Sequence, residues 1–324
     1  MKAVIIDDRY ESHALEREEF KKAGAEVVEI TNVNPSDDQI VSECKDADAI
    51  VVNLAPLGAE LLSKFEKCRV IARYGVGYDS IDAAAATEKG ILICNVPDYC
   101  MEEVSDQALA LFMACARQIR FRDASVRKGD WDANGPTPIY RIAGRKFGLV
   151  GYGHIPRALH RKLKGFNLGE VLIYDPFVDE DEIKKAGGRK VDFDTLLKES
   201  DYVSIHAPLN DKTKHLFNAE AFSKMKPSSI LVNTSRGGLV DTAALVDALK
   251  SGRIAWAGID VHEQEPAPAD YPLKAMDNVV LSDHKGFYSE EAQADLQQKA
   301  ARAAAQVLMG EIPASVVNKA AIKK

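Results

Sequence analysis

The segment from Lys146 to Asp175 constrains the fold of this chain more than any other. It reads K-F-G-L-V-G-Y-G-H-I-P-R, continues over a stretch of helical length, and ends in V-L-I-Y-D. One apolar run therefore leads into Gly151 and Gly153, and a second apolar run closes on Asp175. This order predicts a strand, a glycine turn, a helix and a second strand, which is the repeating unit of a parallel α/β sheet.

The glycine turn is suited to a dinucleotide. Gly151 allows a tight turn, and Gly153 lacks a Cβ, so a pyrophosphate can approach the backbone where His154 and Ile155 begin the helix. Asp175 is placed to accept hydrogen bonds from a ribose diol, and its charge would repel a 2′-phosphate. We therefore expect NAD as the cofactor.

Pro156 stands where the third glycine of a G-x-G-x-x-G pattern is expected. Proline is tolerated in the first turn of a helix because its missing N–H is not needed there. A G-x-G alone is weak evidence, and an ordinary strand-to-helix turn is the alternative interpretation. The flanking strand and the well-placed Asp175 favour the nucleotide site.

Length and periodicity predict two α/β domains. A chain of 324 residues exceeds the usual size of a single core. Short β-branched runs alternate with polar segments of helical length, which predicts doubly wound parallel sheets. The expected strands are Ala3–Ile6, Glu26–Ile30, Ala49–Val52, Val70–Ala72, Ile91–Cys94, Phe147–Val150, Val171–Tyr174, Tyr202–Ile205, Ile230–Asn233, Ala257–Val261 and Val279–Leu281.

Three further segments connect or close the domains. An apolar stripe at helical spacing predicts a buried helix at the crossing between domains, formed by Val104, Ala108, Leu111, Phe112, Cys115 and Ile119. Arg122 to Arg145 is polar and has little periodicity, so we expect an extended arm, as a loop or a subunit contact. An alanine-rich helix from about Ser289 to Met309 is expected to close the fold.

Composition excludes several classes of function. The net charge of −7 and the absence of a Lys/Arg cluster argue against a nucleic-acid surface. The five cysteines are scattered, with no C-x-x-C pair and no histidine at metal-ligand spacing, which indicates reduced thiols and no metal site. No 18-residue apolar run occurs, and the N-terminal apolar run is too short for a signal peptide, so we expect a cytoplasmic protein without a membrane partner.

Unusual polar clusters follow four predicted strands of the second domain. They are H-A-P-L at His206, T-S-R-G-G at Thr234, D-V-H-E-Q-E-P at Asp260 and S-D-H-K-G at Ser282. Ligands of open parallel sheets bind at the carboxyl ends of the strands. We therefore expect these clusters to converge on the site that the glycine turn defines.

Two residues in these clusters are candidates for chemistry. Arg236 presents a rigid fork of donors that suits bidentate capture of a carboxylate, although a surface arginine is the alternative interpretation. His284 can give a proton to a carbonyl oxygen as a hydride reaches the carbon. A neighbouring carboxylate would orient its ring, and Glu263 and Glu265 are both candidates for that role.

The first domain offers one candidate site. The predicted fourth strand runs into R-Y-G-V-G-Y-D, where the backbone N–H groups of Val76 and Gly77 are expected to be available for a small anion. A plain glycine turn is the alternative interpretation.

Taken in order, G-x-G with Asp175, N-T-S-R-G-G, G-I-D-V-H-E-Q-E-P and D-H-K-G resemble the D-isomer-specific 2-hydroxyacid dehydrogenase family over nearly the whole chain. Within it, V-P-D-Y-C-M-E-E-V, D-V-H-E-Q-E-P, F-Y-S-E-E-A and G-E-I-P are most similar to the branch of the C-terminal binding protein corepressors and related bacterial dehydrogenases. The departures from the family pattern are Pro156, Lys285 and Phe287.

The resemblance implies a Rossmann NAD-binding domain, residues 99–289, inserted into a flavodoxin-like substrate domain, residues 1–98 and 290–324. It also implies a homodimer formed with an arm at about residues 121–146. It implies that Arg236, Glu265 and His284 are catalytic, that Val76, Gly77 and Tyr99 join Arg236 at the substrate, and that His262 is a branch signature. The cofactor contacts that it implies are Gly151, Gly153, His154, Ile155, Asp175, His206, Pro208, Thr213, Thr234, Arg236, Asp260 and His284.

We therefore expect an NAD-dependent oxidoreductase that acts on a small 2-hydroxy or 2-oxo acid such as glyoxylate, hydroxypyruvate or pyruvate. A 3-phosphoglycerate dehydrogenase is one alternative, but the loop after Val52 has no arginine for a phosphate and no regulatory domain is expected after residue 324. Formate dehydrogenases of the same superfamily lack the Glu–His pair, so Glu265 disfavours that chemistry. An NAD(H)-sensing, corepressor-like binding protein with little turnover is the other alternative.

Overall fold

A computed structural model describes residues 1–6, 9–30, 32, 35–131 and 134–322. The chain divides into two compact units, the first formed by Met1–Tyr99 with Ser289–Lys324 and the second by Cys100–Tyr288. Asp132 and Ala133, which belong to the expected arm, lie outside the described residues.

Within the described residues, twelve strands form two parallel sheets. They are β1 (Lys2–Ile6), β2 (Glu26–Glu29), β3 (Ala49–Val52), β4 (Val70–Arg73), β5 (Leu92–Cys94), β6 (Lys146–Val150), β7 (Glu170–Tyr174), β8 (Arg189–Lys190), β9 (Tyr202–Ile205), β10 (Ile230–Asn233), β11 (Trp256–Ile259) and β12 (Val279–Leu281).

In the part of the chain that the structure describes, twelve α-helices accompany these strands. They are α1 (Ala14–Lys22), α2 (Asp37–Cys44), α3 (Ala59–Ser63), α4 (Ala83–Glu88), α5 (Met101–Ala116), α6 (Ile119–Arg127), α7 (His154–Leu163), α8 (Glu180–Lys185), α9 (Phe193–Glu199), α10 (Ala219–Lys224), α11 (Thr242–Lys250) and α12 (Glu290–Leu308). Over the residues with described structure, no helix combines the length and apolarity needed to cross a membrane.

The first unit contains a five-stranded sheet in the order β2-β1-β3-β4-β5, which is the flavodoxin-like order. All its neighbouring strands pair in parallel. The central strands β1 and β3 are buried almost throughout, because their β-branched runs pack against apolar clusters on both faces. Helices α1 and α12 pack on each other within this unit.

The second unit contains a seven-stranded parallel sheet in the order β12-β11-β10-β9-β6-β7-β8. The chain leaves β6 toward β7 on one side and returns to β9 on the other, so the strand order reverses beside β6. This is the Rossmann arrangement, in which the crevice at the reversal binds the ligand. The expectation of two doubly wound parallel sheets is confirmed.

The segment after α5 differs from the sequence-based expectation in two ways. Gln118 adopts a left-handed conformation, with φ of 53°, and ends the buried helix before Ile119. Ile119 therefore begins α6, where it is 56% exposed and does not belong to the buried stripe. The prediction of an extended arm is wrong for its first part, which is helical. In helix α6 only Ser125 is buried, so the sequence shows no apolar periodicity that would predict the helix.

Candidate functional site

The twelve predicted cofactor residues all lie in the second unit, each beyond the carboxyl end of a strand. Those strands are β6, β7, β9, β10, β11 and β12. Because the strands are parallel, their carboxyl ends share one edge of the sheet. The polar clusters that follow them therefore lie along a single edge, which includes the reversal point beside β6.

The glycine turn after β6 is shaped by its neighbour β9. Gly151 has φ of +90°, and a Cβ there would lie 2.9 Å from the carbonyl carbon of His206, so a side chain is excluded. Gly153 caps α7, and a Cβ there would meet nothing within 4 Å. The space outside Gly153 is thus open to a ligand.

The N-terminus of α7 presents backbone donors to that space. The helix begins at His154, directly after Gly153, and Pro156 is buried in its first turn, so the proline does not delay the helix. The N–H groups of His154 and Ile155 donate to no acceptor in the described part of the chain. Free N–H groups and the helix dipole favour an anion at this position.

Asp175 closes the turn through hydrogen bonds from the backbone. Its Oδ2 accepts from the N–H of Tyr152 at 2.8 Å, and its Oδ1 accepts from those of Phe177 at 2.8 Å and Val178 at 3.1 Å. An open cleft of about 610 Å³ lies beside it, between Pro176 and the start of α9. That volume suits part of a dinucleotide.

The loop after β9 provides a second wall. Burial lowers the pKa of His206 to about 3, so its imidazole is neutral at physiological pH, and its Nε2 lies 2.9 Å from the Ser204 hydroxyl. Thr213 closes the loop, because its hydroxyl donates to the carbonyl of Pro208 at 2.6 Å and accepts from the N–H of Asn210 at 2.9 Å.

Arg236 lies in a turn that is held from both sides. The Asn233 side chain accepts from the Ser235 N–H at 3.0 Å and donates to the Arg236 carbonyl at 2.9 Å. Gly237 follows, and a Cβ there would lie 1.9 Å from the carbonyl carbon of His262. The glycine after Arg236 is therefore required by close packing against the segment that carries Glu265.

The hydroxyl of Thr234 in the same turn is buried without a hydrogen-bond partner among the described residues. Its side chain is almost completely buried, at 8% exposure, and its Oγ1 has no hydrogen-bond partner among the described residues. Unsatisfied buried hydroxyls are costly and rare in proteins. A bound ligand with a polar group would satisfy it.

The structure distinguishes the two candidate partners of His284. Glu265 Oε2 lies 2.7 Å from His284 Nδ1, and its Oε1 accepts from the His262 N–H at 2.8 Å. Glu263 instead contacts His215 Nε2 at 2.6 Å and accepts from the Thr242 N–H at 2.9 Å. Glu265 is therefore the carboxylate that orients the ring of His284.

The Glu265 carboxylate is ionised at neutral pH. Burial raises its pKa, but hydrogen bonds from the His284 ring and the His262 backbone outweigh burial, and the net pKa lies below its ordinary value. With Nδ1 directed at this anion, Nε2 of His284 is the nitrogen available for a substrate proton, since it contacts no hydrogen-bond partner in the described structure.

A network around Asp260 fixes the turn that carries His284. The Asp260 carboxylate accepts from the Ser282 hydroxyl at 2.6 Å and the Gly286 N–H at 3.0 Å, and its carbonyl accepts from the His284 N–H at 2.8 Å. His284 itself has φ of 59°, a conformation that costs free energy unless its surroundings impose it. These contacts supply that constraint.

Sequence reasoning missed Gln107 on α5, which donates to the Ser282 hydroxyl at 2.9 Å. The one available signal was a polar side chain beside an apolar helical stripe. That signal does not identify a partner so distant along the chain.

The candidate anion site of the first unit follows β4. Gly75 has φ of +141°, and its carbonyl accepts from the Val96 N–H at 2.9 Å, while the Val76 carbonyl accepts from the Asn95 side chain at 2.7 Å. Within the described ranges, the N–H groups of Val76 and Gly77 donate to no acceptor. Tyr99 is partly buried against the apolar core of the same unit.

The residues at the edge of the second sheet fit NAD. They combine an open backbone at Gly153, free N–H groups at the start of α7, a carboxylate at Asp175 and an unsatisfied buried hydroxyl at Thr234. These are the groups that a pyrophosphate, a ribose diol and a further polar group would contact.

Comparisons with known proteins agree with this geometry. Residues 109–286 match the family model described as D-isomer specific 2-hydroxyacid dehydrogenase, NAD binding domain. A glyoxylate reductase of Korarchaeum cryptofilum is 43% identical over 293 residues, which are 89% of this chain and 88% of that protein. A D-3-phosphoglycerate dehydrogenase of Methanocaldococcus jannaschii is 38% identical over 87% of this chain, but this match spans only 53% of that protein.

A solved structure is also similar over almost the full length. The glyoxylate reductase from Paecilomyes thermophila superposes with a TM-score of 0.89 at 29% identity, covering 98% of each chain. Fold, site geometry and sequence identity therefore lead to one assignment. The chain belongs to the D-isomer specific 2-hydroxyacid dehydrogenase family.

Proposed function

We propose that this protein transfers hydride reversibly between NAD(H) and a small, unphosphorylated 2-oxo or 2-hydroxy acid of the glyoxylate, hydroxypyruvate or pyruvate type. The observation that carries the proposal is the contact between Glu265 and His284, with Nδ1 and Oε2 2.7 Å apart. An imidazole oriented by a carboxylate is the acid–base group that reduction of a carbonyl requires.

The cofactor would be held by groups of the second unit. The N–H groups of His154 and Ile155 would bind the pyrophosphate, Asp175 the adenosine ribose, and the Thr234 hydroxyl a further polar group. When bound, NADH supplies the hydride. The neutral imidazole of His206 adds no positive charge to this surface.

The substrate would be held by its carboxylate. The planar guanidinium of Arg236 can donate two parallel hydrogen bonds to that group. In the first unit, the N–H groups of Val76 and Gly77 are our candidate donors to a substrate carboxylate, because they donate to no acceptor in the described ranges and Val96 and Asn95 hold their backbone in place.

His284 would transfer the proton. As hydride reaches the carbonyl carbon, Nε2 of His284 gives its proton to the carbonyl oxygen, and one hydride and one proton convert the 2-oxo acid to a 2-hydroxy acid. The ionised Glu265 stabilises the protonated ring before transfer. In the reverse direction the neutral ring accepts the proton.

A small acid is preferred to 3-phosphoglycerate. The loop that follows β3, N-L-A-P-L, contains no arginine or lysine that would pair with a phosphate. Several curated relatives at about the length of this chain carry the name glyoxylate reductase. The similarity to phosphoglycerate dehydrogenases keeps 3-phosphohydroxypyruvate in the substrate panel.

The same proposal includes a homodimer in the cytoplasm. The segment after α5 exposes large apolar side chains, which are Ile119, Val126, Trp131, Ile139 and Tyr140. Several large exposed apolar side chains in one segment are typical of a surface covered by a partner subunit. The five cysteines, all within the described ranges, form no disulfide, which fits a reducing compartment. Light scattering would measure the dimer, and replacing Trp131 by Glu should shift it toward monomer.

The test of the proposed function is NADH oxidation with a panel of 2-oxo acids, including 3-phosphohydroxypyruvate. We expect turnover with the small acids, and we expect Arg236→Lys to raise their KM by about a hundredfold because the fork is lost while the charge is kept. If the parent binds NADH but reduces no member of the panel, an NAD(H)-sensing binding protein becomes the better account.

A further inference from the structure

The first unit buries a carboxylate that the proposed chemistry does not use. Glu16 lies on α1 and is completely buried, and His13 beside it is 2% exposed. A buried charge is costly unless it is paired and hydrogen-bonded. The Glu16 carboxylate is hydrogen-bonded by the side chains around it, which offsets this cost.

Three side chains converge on this carboxylate. Oε1 of Glu16 accepts from the Tyr74 hydroxyl at 2.7 Å and from Gln297 Nε2 at 3.0 Å, and it lies 3.1 Å from His13 Nδ1. Burial raises the pKa of Glu16, but the hydrogen bonds from His13, Tyr74 and Gln297 outweigh it, so the pKa is lowered and the carboxylate remains ionised.

Tyr74 connects this network to the candidate anion site. It follows the last residue of β4 and immediately precedes Gly75, Val76 and Gly77. Its ring is 2% exposed and packs edge-on against Tyr10 with centroids 5.1 Å apart. The hydroxyl bond to Glu16 therefore fixes the residue from which the loop departs.

The network also joins three elements of the unit. Glu16 belongs to α1, Tyr74 follows β4, and Gln297 lies on α12, where its side chain also donates to the carbonyl of Ser12 at 2.8 Å. A shift of α1 or α12 would thus reach Tyr74 through one carboxylate.

We propose that Glu16 is a positioning residue that, through the Tyr74 hydroxyl, holds the N–H groups of Val76 and Gly77 in the geometry that binds the substrate carboxylate. The inference rests on the proposed function, since it assigns those N–H groups to a 2-oxo acid. Glu16 itself touches neither substrate nor cofactor.

The test compares Glu16→Gln and Tyr74→Phe with a matched control, Glu19→Gln. Glu19 lies on the same helix, is 3% exposed and also contacts α12, through Arg302 at 3.2 Å. It contacts Lys22 rather than Tyr74. The control therefore removes a buried carboxylate between the same two helices without disturbing the loop anchor.

We expect Glu16→Gln and Tyr74→Phe each to raise the KM for glyoxylate about tenfold, with kcat and the Kd for NADH changing by less than about twofold. Because both act through one hydrogen bond, the double variant should be no worse than the single variants. Glu19→Gln should leave KM within about twofold of the parent. A purely structural role would instead give Glu16→Gln and Glu19→Gln equal effects, and that result would overturn the inference.

Binding of oxamate to the NADH complex, followed by NADH fluorescence, gives a readout without turnover. Oxamate affinity should fall about tenfold in Glu16→Gln and Tyr74→Phe. If Glu16→Gln does not fold, Tyr74→Phe decides, because it removes one hydroxyl only. If an active Tyr74→Phe variant binds oxamate as tightly as the parent, the positioning role of Glu16 is overturned while the proposed function stands. A parent that neither binds oxamate nor reduces any 2-oxo acid overturns the proposed function as well.

Discussion

Glu265 holds the imidazole of His284 by a 2.7 Å contact between Oε2 and Nδ1, while its other oxygen accepts the N–H of His262. The carboxylate is thus fixed to the backbone on one side and directs the ring on the other. Both side chains are about one-third exposed, so solvent reduces the strength of the pair but does not displace it.

Replacing Glu265 by Gln should lower kcat/KM for 2-oxo acid reduction by about a hundredfold, because the protonated ring loses its anionic partner. The pKa of Glu265 is lowered in the folded protein, so its carboxylate is ionised across the neutral range. The rate of NADH oxidation with glyoxylate measures this loss, and Glu263→Gln serves as the control. A parental kcat/KM in Glu265→Gln would contradict the role of Glu265.

The two glycines of the turn after β6 should fail in different ways. Gly151→Ala should lower the free energy of unfolding by about 1–3 kcal/mol, because a Cβ at φ of +90° meets the backbone of His206. Gly153→Ala should unfold like the parent but bind NADH more weakly, since its Cβ would enter the space assigned to the pyrophosphate. Denaturant titration and NADH fluorescence separate the two effects. Equal NADH affinity in Gly153→Ala and the parent would refute this placement.

Asp175 should set the preference for NADH over NADPH. We expect Asp175→Ser to weaken NADH binding by about tenfold and to narrow the gap between the two cofactors, because the acceptor of the ribose diol and the repulsion of a 2′-phosphate are both lost. Affinities for both cofactors measure this. A variant with the parental NADH-to-NADPH ratio would remove Asp175 from that role.

Asp201 should contribute to stability at neutral pH and lose that contribution in acid. Burial raises its pKa, but hydrogen bonds from the Lys146 backbone and the Lys226 side chain, with the charge of Arg145, outweigh burial and hold the pKa below its ordinary value. A lowered folded pKa means that stability is present above the unfolded pKa and declines as pH falls below it. Asp201→Asn should cost about 2 kcal/mol at pH 7 and flatten the acid limb of stability. An acid limb identical to that of the parent would contradict this.

The strands could be predicted from the sequence because short apolar β-branched runs, as in β3 and β9, indicate buried strands with little ambiguity. Sequence reasoning missed β8, since Arg189 and Lys190 are two charged residues that join the sheet only as an edge. It also missed α6, in which Ile119 and Val126 are exposed and form no buried apolar stripe.

The catalytic candidates were visible as odd polar residues at strand ends, but their partners were not. Glu263 and Glu265 stand two residues apart, and only the fold shows that one contacts His215 and the other His284. Gln107 donates a hydrogen bond to Ser282, which lies near the other end of the second unit in sequence. No local sequence pattern predicts a pair that is so far apart along the chain.

His284 is the residue that we assign as proton donor of a 2-oxo acid reductase. The chain offers a matched control, because His215 forms a second histidine–glutamate contact in the same unit. The measurement is the rate of NADH-dependent glyoxylate reduction by the parent, His284→Asn and His215→Asn. We predict that His284→Asn loses about a thousandfold in kcat while His215→Asn stays within about threefold of the parent. Comparable rates in the parent and His284→Asn would contradict the account.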